Sequence, residues 1–233
     1  MRIRIVLFCL AGLTVTACDK EAGNSSAPSR NPAELVENFA RKYVAASPDD
    51  AVPDEALREM VNLLLQRPAG NDEDSVQRRV ENMDTVLAMG GALEKAFAHA
   101  ANLSQVHRLM LQAADFLARA RQDEASIAQV NTLVDRVLGD DTADAETKVT
   151  ADFVRTMHRA QTAGQPAADA AKQIEAFVDR HKNTPSAGQA YGLGASLANQ
   201  LKLTDLRAQY VKVLQENYMD DPAVLNYLRA LKD

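Results

Sequence analysis

From Asn31 onward the apolar residues of this chain recur every three or four positions. Leu35, Phe39 and Tyr43 fall four apart, and Leu57, Val61, Leu64 and Leu65 keep the same rule. So do Leu109, Ala113, Phe116 and Leu117, then Ile127, Val130, Val134, Val137 and Leu138. Val149, Phe153 and Met157 continue it, followed by Ile174, Phe177 and Val178. Stripes of this kind lay one face of each helix on a core. No stretch alternates as a half-buried strand would. The spacing predicts helices over Pro32–Ala46, Asp54–Arg67, Asp74–Met89, Ala92–Ala101, Gln105–Arg121, Glu124–Leu138, Ala143–Ala163, Ala167–His181, Ser186–Gln200, Asp205–Asn217 and Pro222–Lys232.

The punctuation agrees. Pro32, Pro53, Pro166, Pro185 and Pro222 each stand just ahead of a periodic stretch, where a missing N–H leaves no helical bond unmade. Asn31, Thr184 and Asp221 read as N-caps. Breaks are expected at Pro48, Pro68 to Asn71, Gly90-Gly91, Asn102, Gly139-Asp140, Gly164, Asn183 and Lys202. Gly90-Gly91 can also be read as a kink within one helix. Connections this short force neighbouring helices antiparallel. The expected fold is therefore all-α: stacked antiparallel helical hairpins over residues 32–233, a helical repeat or an irregular bundle.

The pattern before Asn31 is different. Arg2 and Arg4 precede an unbroken apolar and small-residue run from Ile5 to Ala17, too short for the roughly 20 residues a spanning helix needs. A basic start, a short apolar run and a small residue make a secretory signal. Val15-Thr16-Ala17-Cys18 resembles the lipobox of bacterial lipoproteins. That resemblance implies removal of residues 1–17, diacylglyceryl attachment to the Cys18 thiol and acylation of the new amino terminus. Two or three chains suffice for stable attachment, each buried methylene contributing about 0.8 kcal/mol. Cys9 is the only other cysteine and lies within the removed segment, so the mature chain has no disulfide to form. Asp19, directly after the lipidated residue, resembles the inner-membrane retention signal of enterobacterial lipoproteins. The expected location is a cell-membrane lipoprotein facing the periplasm, with the inner membrane slightly favoured over the outer.

Asp19 to Arg30 carries no large apolar residue, so these residues read as a flexible tether with a reach of about 20 Å. The full chain has 26 Lys+Arg against 32 Asp+Glu, a net charge of −6. Without Arg2 and Arg4 the balance is 24 against 32, or −8. This opposes nucleic-acid binding and a second, electrostatic hold on anionic lipid. It suits a basic or mixed-charge protein partner.

Within the helical part, residues 143–233 are the most repeat-like. Ala190, Leu193, Gly194 and Leu197, then Leu206, Tyr210 and Val213, resemble the signature positions of a tetratricopeptide repeat. Leu206 and Val213 are bulkier than the family's small residues, and Tyr218 stands where its proline belongs. Phe177, Arg180 and His181 ahead of Pro185-Ser186 resemble the junction between repeats in periplasmic repeat proteins. The chain is thus similar to tetratricopeptide-like envelope lipoproteins, which implies a protein-binding role.

Motifs for chemistry are missing. The four histidines, His99, His107, His158 and His181, form no His-Glu-x-x-His, and each is expected at a surface or a helix end. The acidic runs at 71–74 and 140–146 lack the glycine and glutamate of a calcium loop and are read as helix starts. No Gly-x-Ser-x-Gly elbow occurs, and Gly192-Leu193-Gly194 lacks a dinucleotide loop's third glycine. Gly188 and Gly194 are expected at helix-to-helix contacts. No catalytic residue, metal or cofactor is expected. Tyr191, Tyr210, Tyr218 and Tyr227 crowd the last helices. Tyr191, Tyr218 and Tyr227 are candidate partner-binding residues, because tyrosine joins an apolar body to a polar tip; the alternative is partial burial in the final hairpin. Tyr210 is expected in the core. The reading is a non-catalytic, membrane-anchored adaptor or scaffold. An immunity-type lipoprotein that neutralises a periplasm-targeted toxin, and an enzyme with an unfamiliar site, stand as alternatives.

Overall fold

A computed structural model describes residues 31–44, 51–66, 73–161 and 165–231. The signal segment, Cys18, Asp19 and the tether lie outside the described residues. So do the expected breaks at Pro48, Pro68 to Asn71 and Gly164, and the expected helix ends at Ala46, Arg67, Ala163 and Lys232.

The described residues form α-helices joined by turns, with no strand among them: α1 Pro32–Tyr43, α2 Asp54–Leu65, α3 Glu73–Ala96, α4 Leu103–Arg121, α5 Glu124–Gly139, α6 Ala145–Ala160, α7 Ala167–His181, α8 Ala187–Gln200, α9 Thr204–Asn217 and α10 Pro222–Ala230. The all-α architecture is as the periodicity requires. The Gly90-Gly91 break is corrected. Both glycines lie inside the 24-residue α3, which replaces two expected helices and ends at Ala96 rather than Ala101. Gly90 belongs there because a Cβ would collide with the Met110 side chain of α4 (Sδ at 2.6 Å), so its absence lets the helices close up. A Cβ on Gly91 would meet open space, and nothing in the structure explains that glycine.

Capping fixes the helix starts. Asn31 and Asp221 accept from the amides of Ala33 and Ala223 at 3.1 and 2.8 Å. Asp123 and Asp144 accept from Ser126 and Thr147 at 2.7 and 2.6 Å. Asp140 closes a turn on Thr142 through its amide and hydroxyl. The acidic run at 140–146 is thus a turn followed by a cap. Thr184 does not cap: its hydroxyl donates to the His181 carbonyl, and Ser186 takes the N-cap position of α8.

Sequential helices pack as antiparallel neighbours from α3 to α9, and the even-numbered helices also touch one another: α2 with α4, α4 with α6, α6 with α8, α8 with α10. Side-chain bridges show that this even row runs parallel. Asn102, just before α4, clasps the Val52 backbone ahead of α2, accepting from its N–H (2.8 Å) and donating to its carbonyl (2.9 Å). Thr147 of α6 donates to the Ser104 carbonyl of α4, and Asp115 meets His158, partners 43 residues apart in both cases. Gln189 donates to Thr150, and Gln161 to Gln200, both 39 apart. Between α8 and α10, Gly192 faces Tyr227, only 35 residues on. The step therefore shortens along the chain. It approaches the roughly 34 residues of a tetratricopeptide repeat only at the last hairpin, where the sequence resemblance lies.

Two cores result. The larger joins α1–α5 and receives Ala151 and Val154 of α6. The smaller joins α7–α10 to the opposite face of α6, through Val149, Phe153, Met157 and Ala160. A satellite of Leu214, Val224 and Leu228 seats α10 against α9. The even helices α4, α6 and α8 are buried on most sides, while α5, α7 and α9 are half exposed.

Candidate functional site

The aromatic end of the stack is built by two helices. Helix α8 brings Tyr191, α9 brings Tyr210, and Tyr218 sits at the α9 C-cap. The Tyr191 ring stands edge-on to Tyr210 at 5.6 Å between centroids and tilted against Tyr218 at 6.0 Å. Tyr210 is buried and forms the floor; Tyr191 and Tyr218 are half-buried and form the rim. Gly188, one turn before Tyr191, keeps the N-terminal turn of α8 low enough for the Tyr218 ring, whose Cδ1 would lie 3.2 Å from an added Cβ. Glu175 and Asp179 follow one another along a face of α7, and Lys182 stands at its C-cap. The carboxylates of Glu175 and Asp179 lie within electrostatic reach of the Tyr210 hydroxyl, which burial above all pushes up from its ordinary pKa. Lys182 donates to Asp179 at 2.8 Å, a bond that raises the lysine's pKa, and lies within reach of Tyr191.

Tyr227 is elsewhere. It is buried at 8% exposure, with its ring pressed onto Gly192 of α8, where a Cβ would come within 2.7 Å of Cγ. This corrects its expected partner-binding role: the ring fills the closest approach of α8 and α10 and presents little surface. Gly194 does the same service on the other side, where a Cβ would approach Val178 Cγ2 at 2.9 Å and Tyr210 Cε2 at 3.2 Å.

The histidines hold a pattern that spacing could not reveal. Glu94 of α3 accepts from His107 Nε2 of α4 (2.9 Å) and from Arg136 of α5 (2.8 Å). Asp115 of α4 is bonded by Arg119 on its own helix and by His158 Nε2 of α6 at 2.9 Å. Asp152 of α6 takes Arg180 Nε and His181 Nε2 of α7, both at 2.8 Å. Each carboxylate is thus bracketed by one imidazole and one guanidinium. Burial pushes Glu94 and Asp152 up, but the bonds from His107 and Arg136, and from His181 and Arg180, outweigh it and hold both below the usual carboxylate range. The expectation for His107 is corrected: it is buried at 4% exposure in the second turn of α4, against Glu94 of α3, not at a surface. His99 is exposed, and His181 stands at a helix end. Among the described residues no group of three or more His, Cys, Asp or Glu side chains is placed to hold a metal ion.

One further hollow lies between α1 and α3, an open groove of about 470 Å³. Pro32, Ala33, Val36, Ala40 and Ala88 make its floor apolar, and Glu37 and Asp84 stand at its rim. Those carboxylates are engaged, Glu37 by Arg41 and Asp84 by Arg121. No helix among the described residues is long and apolar enough to cross a membrane. Comparison with protein-family models, curated proteins and solved structures finds no match to this chain.

Proposed function

We propose that this protein is a non-catalytic adaptor: a lipoprotein tethered through Cys18 to a membrane facing the periplasm, whose helical stack holds another envelope protein. The observation that carries the reading is the parallel row of α2, α4, α6, α8 and α10. A row of that kind is quasi-one-dimensional. Each hairpin buries its neighbours, so the stack presents a long, rigid surface instead of an enclosed cavity. The lipobox and the tether supply the address, and the half-buried tyrosine rim supplies contact chemistry.

Two measurements test it. Cys18→Ser should release the mature protein from washed membranes into the soluble envelope fraction; retention equal to the wild type would refute the anchor. Photo-cross-linkers placed singly at exposed positions along the stack should trap one specific envelope protein from a few adjacent positions. Uniform, nonspecific trapping at all positions would refute the adaptor.

A further inference from the structure

We propose that the edge formed by Tyr191, Tyr218, Met219 and the carboxylates of Glu175 and Asp179 is a docking surface for a basic, partly apolar segment of a partner protein. This rests on the adaptor reading and adds to it the place and the chemistry of contact. Three features of the edge converge. It is the place where aromatic side chains are stacked yet left half open: Tyr191 and Tyr218 lean on each other above the buried Tyr210. Met219, next in the chain, is 47% exposed, and a methionine adapts to irregular partners. Cations favour the faces of such rings within about 6 Å.

The charge around the rings selects the sign of the partner. Glu175 and Asp179 stand at exposed positions of α7 within electrostatic reach of Tyr210, the floor of the edge, and Asp220 follows Met219. Asp179 is engaged by Lys182, whereas Glu175 and Asp220 make no ion pair among the described residues. Lys182, the cation within reach of Tyr191, is already held by Asp179, so a lysine or arginine arriving over the rings finds Glu175 and Asp220 without an ion pair among the described residues. An acidic segment would meet like charge. The net −8 of residues 18–233 steers encounter in the same direction.

The experiment uses the full mature chain and two eight-residue probes, one alternating lysine with leucine and one alternating glutamate with leucine. The protein has no tryptophan, and four of its five tyrosines lie in the final helices, so tyrosine emission reports directly. The basic probe should produce a saturable change that weakens with salt. Glu175→Lys should weaken it about tenfold, whereas the distant charge reversal Glu124→Lys should leave it unchanged. Both positions are exposed, so both variants should melt like the wild type. Equal response to the acidic probe, no saturable response, or equal effects of the two reversals would overturn the proposal. A photo-cross-linker at Tyr218, compared with one at the exposed Ile127 of α5, separates the two readings. A trapped basic segment at 218 supports the docking edge. A trapped acidic segment there, or trapping at 127 alone, overturns the edge and leaves the adaptor standing. Trapping at no position along the stack overturns both.

Discussion

The two cores of this protein solve the same packing problem with different materials. In the larger, Met60, Met83, Met89 and Met110 fill the space among α2, α3 and α4, and the one tight glycine, Gly90, lies under Met110. In the smaller, rings press on glycines: Tyr227 on Gly192 and Tyr210 on Gly194. A methionine has three rotatable bonds and yields to an intruding methyl; a tyrosine ring wedged between two helices does not. The comparison teaches that the same glycine-mediated approach is forgiving in one half and rigid in the other.

Substitutions break this contrast in order of effect. Gly192→Ala should destabilise the protein by about 3 kcal/mol, because the ring of Tyr227 has nowhere to retreat while α10 stays seated. Urea unfolding measures it, and in a double-mutant cycle Tyr227→Leu should recover part of the loss. Asp152→Asn should cost about 2 kcal/mol by leaving Arg180 and His181 against a neutral amide in the seam between α6 and α7. Next comes the acid limb, where the halves should behave alike. Glu94 and Asp152 are both depressed, so each contributes stability that is complete above the unfolded values of about 4.3 and 3.9 and is lost as pH falls through its folded value. Stability should therefore start to fall below about pH 4, and Glu94→Gln or Asp152→Asn should each flatten that slope when melting is followed against pH. The smallest effect is Gly90→Ala. Met110 can swing aside and alanine favours the helix, so the net change should stay within about 1 kcal/mol of the wild type. A loss equal to that of Gly192→Ala would erase the distinction between the halves.

Much of the fold was legible along the chain. The three-and-four spacing located the helices because each buries one stripe, and that regularity is local. What failed was information held between helices. Gly90-Gly91 looks like a terminator from its neighbours alone; that Gly90 lies under Met110, twenty residues away, shows only in the packing of α3 on α4. Tyr227 and Tyr218 carry the same side chain nine residues apart, yet one fills a core and the other a rim. The deciding partner, Gly192, lies 35 residues upstream of Tyr227. His107, His158 and His181 find carboxylates 13, 43 and 29 residues distant, at separations that match no motif. Asn31 and Asp221 were readable because a cap is satisfied within two residues.

Helix α6 belongs to both halves at once, with Ala151 and Val154 turned one way and Phe153 and Met157 the other. Neither side can come apart without stripping a wall from its counterpart. Heat or denaturant should consequently meet one cooperative unit, and a fragment cut on either side of this shared partition should expose a greasy flank and clump.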